Sequence, residues 1–164
     1  MKSAGLGTRG AVYVEFLLAF MPLFVFFMAL VQLAFVSMAN IVVKHAAVTA
    51  VRAAIVVLPD DPSAYDEEEE MKAGGRRLAD ITLAAKAPLL AVTASPDIEV
   101  RFPTSPGGSD SRVAFWRDDL VRVQVELHYP CRVPIGKTLV CGLFGNKTLV
   151  GEAALPNQGA DYAY

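Results

Sequence analysis

A chain of 164 residues has room for one membrane segment and one small folded domain, but not for two independent globular domains. Its 15 basic and 17 acidic side chains leave a formal net charge of −2, so no basic excess advertises a nucleic-acid surface. Apolar residues make up 54% of the chain and crowd into its first third, whereas the composition after Pro59 is that of an ordinary soluble domain.

Residues 1–10 are short, glycine-containing and cationic through Lys2 and Arg9, and read as a leader rather than as part of the fold. The stretch Gly10-Ala11-Val12-Tyr13-Val14-Glu15-Phe16 then runs into an apolar segment. From Phe16 to Val43 there are 28 uncharged residues. As a helix they extend about 42 Å, more than the roughly 30 Å of a bilayer's hydrocarbon core. Such a helix spans a membrane and still protrudes. The cations ahead of it place the N-terminus in the cytoplasm and the rest of the chain across the membrane, with Lys44 and Arg52 on the far side opposing that assignment.

Gly10 lacks a side chain and lets the backbone lie extended in a peptidase cleft; cleavage after it would leave a new amine on Ala11. Ala11 and Glu15 stand i, i+4 on one helical face, so that amine and the carboxylate can neutralise one another where either alone is costly. The plainer reading is a Glu15 that snorkels to the interface and gains from the helix dipole, which gives no role to Gly10. Pro22 removes one backbone hydrogen bond and can bend the anchor, which membrane helices tolerate. The phenylalanines Phe16, Phe20, Phe24, Phe26, Phe27 and Phe35 read as lipid-facing or packing surface, and no cofactor is expected.

Beyond the apolar run the helical period persists. Val43, Ala47, Ala50, Val51, Ala54 and Leu58 share one face, and His45, Thr49 and Arg52 share the other. Pro59-Asp60-Asp61-Pro62 stops this helix and starts another, with Asp61 as N-cap and Pro62 at the first helical position. A second helix is expected over 63–86, opened by the acids Asp66 to Glu70, supported by a Glu68–Lys72 pair and ended by Pro88. Gly74-Gly75 leaves open a division into two short pieces. The glutamate run reads as a solvated face before it reads as a cation patch.

From Asp97 the period changes to two. Ile98, Val100 and Phe102 alternate with Asp97, Glu99 and Arg101, and Pro103 to Ser111 reads as a polar loop. Leu120 to Tyr129 is the clearest strand, with Val121, Val123, Val125, Leu127 and Tyr129 on its dry face. Weaker strands are expected over 139–144 and 148–155, flanking a tight turn at Gly145-Asn146. Cys131 and Cys141 bracket nine residues; in an exported domain they form a disulfide, and two thiols alone are too few to hold zinc.

The segment from Gly10 to Phe16 with Pro22 following resembles the amino-terminal signature of type IV pilin-like proteins. Its wording Gly-Ala-x-x-Val-Glu-Phe is similar to the TadE-like minor pilins or pseudopilins of the tight-adherence (Tad) pilus system. The likeness is strongest over about the first fifty residues, and Glu152 to Asn157 is also similar to TadE-like chains. The resemblance implies cleavage by a prepilin peptidase between Gly10 and Ala11, and assembly with other pilin or pseudopilin subunits in which Glu15, beside Phe16, sets register. It also implies an inner-membrane assembly platform as partner and a bacterial inner-membrane location in contact with lipid, with the soluble domain periplasmic and displayed at the cell surface after assembly.

Gly136-Lys137-Thr138 resembles the end of a phosphate-binding loop, but Cys131 occupies the position that needs a glycine. Asn146-Lys147-Thr148 fits the N-glycosylation pattern, which a bacterial exported protein does not ordinarily use. There is no serine, histidine and acid set, and no metal-ligand spacing, so neither an enzyme nor a metal site is expected. The expected architecture is α+β and pilin-like: a leader over 1–10, a membrane and assembly helix over 11–58, and a soluble domain over 59–164 with a second helix and an antiparallel sheet of three to four strands. Two alternatives stand beside it, an uncleaved single-pass protein whose periplasmic domain binds a partner, and a secreted protein cleaved near Ala39.

Overall fold

In the computed structural model, which describes residues 8–142 and 145–157, the first helix, α1, runs unbroken over Thr8–Val57. Its 50 residues contain a single proline, Pro22, and no glycine between Gly10 and Gly74 interrupts the ladder. It stops ahead of Pro59, whose ring disfavours helical geometry in the residue before it. A short 3-10 turn, Pro62–Tyr65, follows. After it come α2 (Gly75–Leu89), β1 (Ile98–Arg101), β2 (Leu120–Pro130), α3 (Gly136–Cys141) and β3 (Asn146–Pro156). The fold is α+β, with the strands in the order β1-β2-β3 in one antiparallel sheet.

The chain divides into two compact units. One contains residues up to Val36 with Pro130–Asn146, and the other contains Ser37–Tyr129 with the residues from Lys147 onward.

In the first unit, residues 12–23 of α1 are exposed on every side; burial begins at Phe24 and Val25 and becomes complete at Gln32. The loop after β2 lies against this stretch. Gly136 sits so close that a methyl group in place of its hydrogen would clash with the Met28 carbonyl oxygen, which only glycine permits. Val133 N–H donates to Gln32 Oε1 at 3.0 Å. Cys131 and Cys141 are joined as a disulfide around this loop.

In the second unit, α1 contributes a fully buried stripe of Ala39, Val43, Ala46, Ala47, Ala50, Val51 and Ala54. The stripe is mostly alanine, which lets neighbouring backbone approach closely. Ile81, Ala85 and Leu89 of α2 are buried as well, and Thr49 Oγ1 links the two helices by donating to Ala46 O at 2.9 Å and Ala84 O at 3.3 Å. The dry face of β2, from Val121 to Tyr129, is buried as its alternation requires. β1 pairs with β2 antiparallel, Ile98 opposite Leu127 and Arg101 opposite Gln124. Phe102 and Phe115 meet edge to face at 5.4 Å.

Two expectations are corrected. The single helix over 63–86 is not formed. Asp61 caps the 3-10 turn through its side chain, with Pro62 following as expected, but Asp66, Glu67 and Met71 then adopt positive φ. Five adjacent acids repel one another at helical spacing, and the backbone instead bonds outward, Met71 N–H to Leu58 O at 2.8 Å and Ala73 N–H to Val113 O at 2.7 Å. The helix resumes only at Gly75, and Lys72 pairs with Glu69 rather than with Glu68. The strand expected over 139–144 is also absent where it is described: Gly136–Cys141 is the helix α3, while Leu143 and Phe144 lie outside the described residues. A covalent link ten residues apart turns the chain back on itself there, which an extended segment cannot do. Gly145-Asn146 therefore leads into β3 and is not the tip of a two-residue hairpin.

Candidate assembly site

The sequence places its candidate functional residues at the start of α1. The Gly10–Ala11 peptide lies in the first turn of that helix, where the backbone N–H groups have no helical partner and the ladder is weakest. The side chains there lie outside the described residues. Glu15 is the eighth residue of α1, two turns in, beyond the reach of the helix-terminal partial charge, which fades within the first turn. The dipole half of the plainer reading therefore does not operate for the intact chain.

Glu15 is exposed, and among the described residues no side chain bonds or ion-pairs with its carboxylate. Its neighbours Val12, Tyr13, Val14, Phe16, Leu17 and Leu18 are all exposed and apolar. The next charge along the chain is Lys44. On insertion scales an acid at the centre of a membrane helix costs about 3 kcal/mol, so a carboxylate in this setting calls for a partner from outside the described chain. Phe16 begins an i, i+4 row of rings, stacked on Phe20 at 5.6 Å, which stacks on Phe24 at 5.8 Å. Glu15 and Phe16 thus pair a charge with the head of an aromatic ridge on a helix surface that nothing among the described residues covers.

The disulfide pair stands apart from this point, bracketing α3. Beside it is a residue that sequence reasoning passed over, Gln32, fully buried, its carbonyl oxygen holding the Val133 N–H and its amide nitrogen 3.9 Å from Cys141 Sγ. A signal for it existed: Gln32 is the one polar side chain between Phe16 and Ser37, and an amide in an apolar run needs a partner.

Arg77 was also missed. Fully buried, it closes the C-terminal end of α1 by donating to the carbonyls of Val57 and Leu58, to Asp60 O at 2.9 Å and to Glu68 O at 3.4 Å. Its guanidinium lies 4.3 Å from the Tyr65 ring centroid. A cation at a helix C-terminus complements its partial negative charge, and the planar fork serves several carbonyls at once. No spacing rule announces it, because its partners are main-chain atoms.

His45 and His128 are exposed, and among the described residues no group of histidine, cysteine and acidic side chains is arranged to hold a metal. The acids on the second unit serve its loops. Glu152 accepts from Gly107 N–H at 2.8 Å and from Arg122 at 2.7 Å, and the first of these, with the second added, holds its carboxyl below the usual range. Asp119 is likewise held low by the Trp116 N–H and then by Arg112.

Together these features define a class: an α+β chain led by one apolar helix long enough to cross a membrane. Residues 10–52 match the family model described as TadE-like protein, a match consistent with a Tad pilus-associated protein. The match opens on Gly10 and takes in Glu15 and Phe16; it ends at Arg52 and does not reach Glu152 to Asn157. No curated protein and no solved structure matches the chain.

Proposed function

We propose that this chain is a minor pilin or pseudopilin of a Tad-type pilus or secretion machine. It enters the bacterial inner membrane with its N-terminus in the cytoplasm and its soluble domain, residues 59–164, in the periplasm. A prepilin peptidase removes residues 1–10 by cutting between Gly10 and Ala11, and the mature subunit is handed by the inner-membrane assembly platform to neighbouring subunits. Assembly is helix packing over residues 11–58, with Glu15 fixing register by receiving the Ala11 amine of an adjacent subunit and Phe16 contributing the first ring of the ridge.

One observation carries this reading: among the described residues Glu15 has no side-chain partner and stands on an exposed apolar stretch of helix, four residues after the position where cleavage would create an amine. A charge so placed makes sense when its partner arrives with another subunit. Cleavage near Ala39 fits less well, because Ala39 is fully buried in the middle of α1, and a cut there would remove the first part of a continuous helix.

The role of Glu15 is tested by Glu15→Ala in a cell that makes the filament. The variant is expected to insert and be processed like the wild type yet to be depleted from the sheared filament fraction, with Glu15→Asp partly restoring it. Normal incorporation of Glu15→Ala would remove the register role.

A further inference from the structure

We infer that the disulfide-closed loop over residues 131–141 is a membrane-interface element, seated at the outer boundary of the bilayer, where it sets the depth of α1. This rests on the reading of α1 as a membrane span. Counted from Val12, where the apolar helix long enough to cross a membrane begins, twenty residues of helix reach Val31 and measure about 30 Å, the thickness of a hydrocarbon core. At the next residue the loop is bonded to the helix: Val133 N–H donates to Gln32, and Gly136 lies on the Met28 carbonyl one turn before it. Main-chain groups of a loop are not tolerated against lipid within the hydrocarbon. The loop therefore marks where the hydrocarbon ends, and the apolar run from Gln32 onward belongs to the interface and beyond, not to the span.

The loop's own surface suits that position. Its inner side, Cys131, Val133 and Gly136, is buried, while Ile135 and Leu139 face outward, 45% and 62% exposed. Arg132 and Lys137 are exposed beside them. Two aliphatic side chains flanked by cations form a pattern that lies in the headgroup boundary, the aliphatic groups toward the acyl chains and the cations toward lipid phosphates. Ile135 also holds a φ of +64°, a costly state for a β-branched residue that persists only where its surroundings dictate it.

The experiment reads depth directly. The full chain carrying Trp116→Phe is reconstituted, with either Leu18→Trp or Leu139→Trp added, into vesicles of phosphatidylethanolamine and phosphatidylglycerol brominated near the headgroup or near the chain end. Leu18 lies inside the inferred span and, like Leu139, is exposed, so both sites accept an indole. The expected result is that Leu139→Trp loses more emission to shallow bromines and Leu18→Trp loses more to deep ones. If Leu18→Trp is quenched at neither depth, the span reading fails and the inference falls with it. If Leu18→Trp is quenched deeply while Leu139→Trp is quenched at neither depth, the span stands and the interface role is overturned. Blue-shifted emission in that case would assign Ile135 and Leu139 to contact with a second copy. Equal deep quenching of both sites would also overturn the inference, because the loop would then be submerged.

Discussion

The Cα of Gly151 rests on the main-chain carbonyl of Val43: a methyl group added there would come within 2.5 Å of that oxygen and 2.9 Å of the Lys44 Cα. β3 therefore crosses α1 backbone to backbone, and this contact joins the strand to the helix's buried face, where Val43 is itself fully buried. Gly151→Ala is expected to destabilise the second unit by about 1–3 kcal/mol through overpacking, and Gly151→Val by more. Denaturant midpoints of the full chain in detergent check this; unchanged midpoints would mean that β3 moves aside without cost.

Arg77 closes the far end of the same helix. Arg77→Lys keeps the charge but loses the fork, leaving carbonyls of Val57, Leu58, Asp60 and Glu68 short of donors. A loss of about 2–3 kcal/mol is expected, together with faster proteolysis in the segment from Pro59 to Gly74. Similar stability and cleavage pattern in the lysine variant would show that charge alone suffices.

Acid should loosen the loop that Glu152 and Asp119 hold. Both carboxyls titrate below their usual range, Glu152 chiefly through Gly107 N–H and Asp119 chiefly through Trp116 N–H. A group whose folded pKa lies below its unfolded value adds stability that is complete above the unfolded value, near pH 4, and is lost as pH falls through the folded one. Hydrogen exchange over residues 103–119 should therefore rise below about pH 4, and the double variant Asp119→Asn, Glu152→Gln should show already elevated exchange at neutral pH with a flatter acid limb. An acid limb identical to wild type would assign the effect to other groups.

The period-bearing elements were legible before any coordinates. The buried stripe of α1 and the alternation of β2 follow from side chains repeating at 3.6 or 2 residues and appear as expected, while the Asp61-Pro62 cap forms but opens a 3-10 turn rather than the expected helix. What was not legible depended on main-chain partners distant in sequence. The acids from Asp66 to Glu70 suit a helix start by local rules, yet Leu58 and Val113 capture the backbone that follows. Residues 139–141, the described part of the strand expected over 139–144, lie instead in the helix α3, within the disulfide-closed loop and three residues past the seat of Gly136 on Met28. Of the candidate site, Gln32 carried a signal as the one amide in the apolar run, but its main-chain partner did not, and Arg77, whose partners are carbonyls, carried none. Gly151 had a recognisable signal, a glycine inside a strand, which often marks close backbone approach.

Removing the disulfide should be felt mainly in the first unit. Cys141→Ser opens the loop and is expected to cost about 2–3 kcal/mol. It should also expose Gln32, which protection of the Val133 amide from exchange would report. Retained protection at Val133 would mean that the Gln32 bond and Gly136 hold the loop unaided.

The central claim is that a pilin-type subunit is made by cutting between Gly10 and Ala11, and N-terminal sequencing of the membrane-extracted protein tests it most directly. The account predicts a mature chain beginning at Ala11. A chain beginning at Met1 would instead describe an uncleaved anchor, one beginning at Asn40 a secreted protein, and either result would contradict it.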